Sequence, residues 1–200
     1  MSKSRKKPQP RPVPAQDLVQ RGIELANQAR WPECVLALEA AVKREPGQVV
    51  AQLNLARAYL YVSKLDEAVS LAAEVRRAQP QLELAALIQA EAFNRMQRFA
   101  EAQATLLTLP EASRTTKAYW FSLGYAQQLQ GLHQLAIESF MKALSIRMDD
   151  AQSHYCMGLS FFEMNLKDEA CECFRTALLM GLDAQTIRAV GALAFAERET

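Results

Sequence analysis

The chain repeats itself every 34 residues, and no other property of its sequence restricts the fold so tightly. Between Lys117 and Leu182 two copies of one unit follow each other: Gly124 recurs as Gly158, Ala136 as Ala170, Phe140 as Phe174 and Ala143 as Ala177. A fixed period of this length signals stacked supersecondary units. Extended both ways from Ala136, the period passes through Cys34, Ala68, Ala102 and Ala170, all small; from Gly124 it passes through Gly22, Ala56, Ala90, Gly158 and Ala192. A third series, Leu25, Tyr59, Phe93, Gln127, Phe161 and Phe195, is large and apolar everywhere except at Gln127.

Spacing inside the unit supplies the structure. Trp120, Gly124 and Gln127 stand at i, i+4 and i+7, and so do Ala136, Phe140 and Ala143. Each set is one face of an α-helix. Gln130-Gly131-Leu132 leaves only a short connection, so the two helices run antiparallel side by side. Small residues let the backbones approach, and aromatic rings fill the space beside them. One hairpin cannot bury its apolar face alone, so the units must stack.

Trp120-x2-Leu123-Gly124 with Ala136, Phe140 and Ala143, together with Pro46 and Pro80 at the ends of the first two units, resembles the tetratricopeptide repeat. The resemblance extends from about Ala15 to Thr200. It implies an all-α fold, a right-handed α-solenoid of antiparallel helix hairpins, with five repeats at 15–48, 49–82, 83–116, 117–150 and 151–184 and a capping helix at 185–200. Residues 1–14 form a basic, proline-rich arm outside it.

The repeats are not uniform. Repeat 1 has Arg21 at a place that is apolar in the family, as suits an outermost unit with no neighbour on one side. Its Pro32 falls at a helix start, where no amide partner is needed. In repeat 3, Gln89 stands where leucine is expected, and Pro110 falls in the last turn of the second helix. Proline there would cost about 3 kcal/mol if the helix continued, so the helix should stop near Thr108. Ser113, Thr115 and Thr116 are candidate caps for the next helix. An irregular joint here should divide repeats 1–3 from repeats 4–5. Asp183 is a suitable N-cap for a last helix through Glu199, whose Ile187, Val190, Leu193 and Phe195 either cover the final repeat or pair two chains.

Composition narrows the setting. Residues 1–14 carry Lys3, Arg5, Lys6, Lys7 and Arg11 and no acid, which leaves the remainder at a net charge of about −4. The arm, with Pro8, Pro10, Pro12 and Pro14, has little to bury and reads as disordered or polyproline-like, either a solubilising leader or a weak contact to an acidic surface. No stretch is apolar for long enough to cross a membrane, and a secretory signal is lacking. A cytoplasmic protein, monomeric or weakly dimeric, with no nucleic-acid partner is the expectation.

The chemistry-bearing residues point away from catalysis. Cys171 and Cys173 lie two apart on a helix and diverge, as do His154 and Cys156, so neither pair chelates one metal. With Cys34 they read as small packed apolar residues. No phosphate loop and no nucleophile with an identifiable base occur. We expect no enzyme, no metal and no cofactor.

The resemblance turns attention to the first helix of each repeat, which lines the concave wall. Its outward positions give Val19, Ile23 and Asn27, then Leu53, Asn54, Arg57 and Tyr61, then Leu87, Ile88, Glu91 and Arg95. Repeats 4 and 5 add Phe121, Ser122, Tyr125, Gln128, Tyr155, Leu159, Phe162 and Glu163. Such a wall is apolar for a solvated surface, and large exposed apolar patches mark partner sites. Asn54 matches the asparagine of the carboxylate clamp found in some family members, but Val19, Ile23, Leu84 and Ile88 stand where the clamp needs polar groups. The expected partner is an apolar or amphipathic protein segment or peptide, and the expected role that of an adaptor or chaperone. Alternatives are a structural subunit of a secretion or pilus assembly and a chaperone resembling those of type III secretion.

Overall fold

The computed structural model describes residues 13–186, and among these every regular element is helical. Ten α-helices follow in order: α1 (Ala15–Asn27), α2 (Trp31–Arg44), α3 (Val49–Tyr61), α4 (Leu65–Ala78), α5 (Glu83–Arg95), α6 (Phe99–Leu107), α7 (Lys117–Leu129), α8 (His133–Ile146), α9 (Ala151–Glu163) and α10 (Lys167–Leu179). The odd-numbered helices begin at Ala15, Val49, Glu83, Lys117 and Ala151, one sequence period apart. The basic arm up to Pro12 and the expected capping helix beyond Thr186 lie outside the described residues. At the edge of that region the Asp183 carboxylate accepts a hydrogen bond from the Thr186 N–H at 3.3 Å, the geometry of an N-cap.

The period is written into the backbone at each turn. Ala29, Ser63, Gln97, Gly131 and Asn165 all have positive φ, between 55° and 77°. Beside each, an amide reaches back five residues: Arg30 N–H to the Leu25 carbonyl, Lys64 to Tyr59, Arg98 to Phe93, Leu132 to Gln127 and Leu166 to Phe161, at 2.8–2.9 Å. This is the Schellman ending, which satisfies carbonyls the helix leaves open and turns the chain into the next helix. Glycine takes this conformation freely and asparagine tolerates it; alanine, serine and glutamine do so at a cost of about 1 kcal/mol each.

The chain forms two compact units, one up to Lys64 and the other from Leu65. In the first, α1 and α2 make a hairpin and α3 lies against it. Gly22 permits the approach, since a Cβ there would stand 2.6 Å from the Leu38 side chain. The Tyr59 hydroxyl donates to Glu39 at 3.0 Å, and the rings of Trp31 and Tyr61 stack with centroids 3.7 Å apart. Arg21 is exposed on α1, as the outermost position allows.

In the second unit α4 packs on α5, and the hairpins α5–α6, α7–α8 and α9–α10 succeed one another. Gly124 and Gly158 repeat the role of Gly22: a Cβ would meet the Phe140 ring at 2.8 Å and the Phe174 ring at 2.7 Å. Both phenylalanines are fully buried. The buried Gln127, the polar exception in its series, accepts from the buried Ser139 hydroxyl at 2.7 Å, so neither polar group is orphaned.

The joint at Pro110 is irregular, but the division expected there is not where the chain parts. Helix α6 ends at Leu107, Thr108 stands at its C-cap, and a 3-10 turn, Glu111–Ser113, leads to Thr116, which caps α7 by accepting from the Tyr119 N–H at 3.1 Å. One core continues across the joint, joining Ala90, Phe93, Leu106 and Leu109 to Tyr119, Leu123 and Ala126. Two arginines repair the shortened helix. Arg114 donates to the carbonyls of Leu107 and Leu109 at 2.9 and 3.0 Å. Arg76 reaches from α4 to Gln89, the Thr105 carbonyl and the Thr108 hydroxyl. Gln89, the substituted leucine, is therefore a buried acceptor for a partly buried guanidinium.

Two outcomes are expected in denaturant titrations. Gly124→Ala should lower stability by about 1–3 kcal/mol, as overpacking does, and by less in a Phe140→Leu background. Gln97→Gly should leave the helices intact and raise stability by roughly 0.5–1 kcal/mol, because the positive φ then carries no steric cost.

Candidate functional site

The expected wall residues divide between the two units. In the first, Val19 and Leu53 are buried, contrary to the expectation of an exposed surface, and Ile88 of the second unit is buried too. Val19 and Leu53 share the register of Phe121 and Tyr155, whose rings lean on Phe140 and Phe174 of their own hairpins at 5.8 and 5.9 Å. That register, which Leu87 also occupies, lies at the margin of the helix-packing face, and Val19 and Leu53 are covered there while Leu87 is half-buried. Ile23 is half-buried beside a cleft with Gln20, Gln48 and Val50, and Asn27 is exposed. Asn54 is engaged within its own helix, donating to the Val50 carbonyl at 2.8 Å and accepting from Arg57 at 3.0 Å. Tyr61 is 51% exposed but stacked on Trp31, a contact that sequence periodicity gave no sign of.

The second unit gathers its members into one strip. Phe121 and Tyr125 of α7 stack nearly parallel with centroids 6.2 Å apart, and both pack with Tyr155 and Met157 around Ala136, Phe140 and Cys156. Tyr155 also belongs to the next cluster, with Leu159, Phe162 and Leu182 around Ala170, Phe174 and Ala177. The strip is thus continuous from α7 to α9, and each named aromatic is half-buried, one side on the core and the other outward. On α5, Leu87 is half-buried against the core that runs into α7, and Glu91 and Arg95 pair at 2.8 Å. This pair is too exposed to stabilise much. Gln128 does not face outward: its amide donates to the Cys156 carbonyl at 2.8 Å and the Ser160 hydroxyl at 3.1 Å, joining α7 to α9. Ser122 is half-buried, and Glu163 is exposed at the end of α9.

Burial, followed by the nearby Cys156 and Glu91, pushes the Tyr125 phenol above its ordinary range, and burial with Cys156 does the same for Tyr155. Both hydroxyls are therefore protonated hydrogen-bond donors at neutral pH. Lys117 sits over the Phe121 ring at 5.2 Å and pairs with Asp150 at 2.9 Å. Asp150 in turn caps α9 by accepting from the Ser153 N–H at 3.1 Å. Thr116 makes the corresponding tie one repeat earlier, donating to Glu83. The sequence carried a sign of these ties, since Thr116 and Asp150 stand one period apart as capping residues.

The strip presents apolar surface and two phenols, with the ion pairs Glu91–Arg95 and Lys117–Asp150 on its helices. All four cysteines are free and buried, with burial pushing Cys156 up to about 12. Among the described residues no three His, Cys, Asp or Glu side chains are placed to hold a metal, and no helix is long and apolar enough to cross a membrane.

Residues 118–150, the fourth repeat, match the family model of the tetratricopeptide repeat. A thermophilic tetratricopeptide-repeat protein from Thermus thermophilus has the same fold over 91% of this chain and 99% of its own, with a TM-score of 0.75 at 19% identity. MamA from Desulfovibrio magneticus RS-1 matches 83% of this chain and 94% of its own, with a TM-score of 0.72 at 15% identity. MamA MSR-1 matches 83% and 95%, with a TM-score of 0.66 at 25% identity. No curated protein matches the sequence. The fold is thus that of the tetratricopeptide-repeat α-solenoids, and residues 118–150 carry that repeat's sequence pattern.

Acid should loosen the site through Asp150. Burial opposes its ionisation, but hydrogen bonds from Ser153 and Lys117 outweigh burial and hold the carboxyl below its ordinary value. A depressed carboxyl contributes stability that is present above the unfolded-state value, near 4, and is lost as pH falls through the folded value. Urea titrations should show Asp150→Asn less stable than wild type by about 1–2 kcal/mol at pH 7, with the gap closing below pH 4.

Proposed function

We propose that the protein is a non-enzymatic interaction module whose second unit holds an apolar or amphipathic segment of another protein along the first helices α5, α7 and α9. The observation that carries this reading is the continuous strip Phe121, Tyr125, Tyr155, Leu159 and Phe162, half-exposed where a purely solvated face would be polar. Aromatic side chains on rigid helices are efficient anchors, because they offer large contact area with few rotamers to freeze. The Tyr125 and Tyr155 hydroxyls would orient the segment, with Leu87 extending the apolar floor and Glu91 and Arg95 at the rim. In the first unit Ile23, Arg57 and Tyr61 are the accessible counterparts, whereas Val19, Leu53 and Asn54 support the fold. An adaptor or chaperone acting in the cytoplasm fits this reading, in keeping with four unpaired thiols.

A structural-subunit reading has one observation in its favour. Met141 on α8 and Leu179 on α10 are 59% and 83% exposed, which puts apolar area on second helices as well.

Affinity capture from the native cell extract separates the two. Tyr125→Glu/Tyr155→Glu, shown by circular dichroism to be as helical as wild type, should lose a captured protein at least tenfold, whereas Met141→Glu/Leu179→Glu should retain it. The reverse pattern would discard the first-helix site.

A further inference from the structure

Hairpin α9–α10 carries an open cleft of about 290 Å³, lined by His154, Met157 and Phe161 from one helix and Glu169, Glu172 and Thr176 from the other. The sequence period shows why it is open. One repeat earlier, Trp120 and Lys142 hold the places of His154 and Thr176, and the ammonium lies 4.3 Å from the indole centroid. Two repeats earlier, the places of Met157, Cys173 and Thr176 belong to Gln89, Thr105 and Thr108, and these three hold the guanidinium of Arg76. Both preceding hairpins therefore place a cation of their own chain here, one over an aromatic ring and one on oxygen acceptors. In α9–α10 the ring has shrunk to imidazole, the lysine is threonine, and among the described residues no arginine enters.

What remains is charged for such a guest. Glu169 and Glu172 are exposed on one side of α10, and among the described residues neither is ion-paired. Their field reaches the floor: after burial itself, Glu172 and Glu169 help push the adjoining Cys173 thiol up to about 11. The apolar walls, Met157 and Phe161, suit the stem of a long side chain, and the Thr176 hydroxyl, which donates to the Glu172 carbonyl at 2.9 Å, still has lone pairs to accept with. A flat, weakly hydrated guanidinium satisfies two carboxylates and an aromatic face together better than an ammonium does.

We infer that the α9–α10 cleft is a socket for an arginine side chain of a protein partner, on a face distinct from the first-helix strip. It takes from another chain what Arg76 supplies internally to α5–α6.

The test uses the full chain, labelled at methionine and threonine methyls, titrated with N-acetyl-arginine amide and with the neutral isostere N-acetyl-citrulline amide. Arginine should give saturable shifts at Met157 and Thr176, and citrulline should bind at least tenfold more weakly. Glu169→Gln/Glu172→Gln, which alters only exposed positions, should weaken arginine at least tenfold. Thr176→Lys should supply the ammonium that Lys142 gives the preceding hairpin and abolish the shift at Met157. Equal responses to arginine and citrulline, or undiminished binding by the glutamine variant, would overturn the socket even if the first-helix strip binds its own partner as proposed.

Discussion

Everything in this fold depends on how closely two helices of one hairpin can approach. At Gly22, Gly124 and Gly158 the first helix presents bare backbone to a Leu38, Phe140 or Phe174 side chain, with less than 3 Å to spare for a Cβ. Close packing at that point requires a glycine in mid-helix, which is otherwise unfavourable by roughly 0.5–1 kcal/mol. The gain is a large apolar side chain with almost no exposed area, beside which the next repeat's first helix can lie. In α5–α6 the second helix carries Leu106 and the first Ala90, and the two pack within the core that crosses the Pro110 joint.

The same geometry decides where a binding surface can form. A ring as large as Phe140 or Phe174 fills the hairpin and continues to its margin, so that Phe121 and Tyr155 rest on it without being swallowed. In the same register Val19 and Leu53 are buried, whereas Leu87 is half-buried. The aromatic character of the last two repeats is thus both a packing solution and the reason their wall stays apolar and accessible. Polar ties set the spacing between first helices: Thr116 to Glu83 and Lys117 to Asp150 near the helix starts, and Gln128 to the α9 backbone further along.

The fold was legible because small and large residues recur in phase, and helix starts follow that phase to the residue. Interruption of α6 near Thr108 was legible as well, since proline chemistry is local. The continuity of the core across that joint was not, because Arg76 and Arg114 repair it with carbonyl contacts that have no periodic trace. Exposure along the wall was legible only in part. Helical phase says which way a residue points, but not how far the neighbouring ring extends, and this separates half-open Tyr155 from buried Val19. Asn54 and Gln128 show a further limit, for an amide pointing along the wall can be taken up by its own backbone or the next helix.

The half-buried strip has a thermodynamic consequence. Phe121, Tyr125 and Tyr155 are the cement between α7, α8 and α9 and, on the proposed function, also the surface offered to a guest, so that cohesion and affinity would rest on the same side chains. A guest that covers their outer faces binds the assembled repeats and not the unfolded chain. By mass action it then shifts the unfolding equilibrium of these hairpins, by about 2.7 kcal/mol at a hundredfold excess over its dissociation constant. On the proposed function, occupancy would lengthen the protein's lifetime against unfolding and proteolysis, and the unoccupied protein would be the less durable.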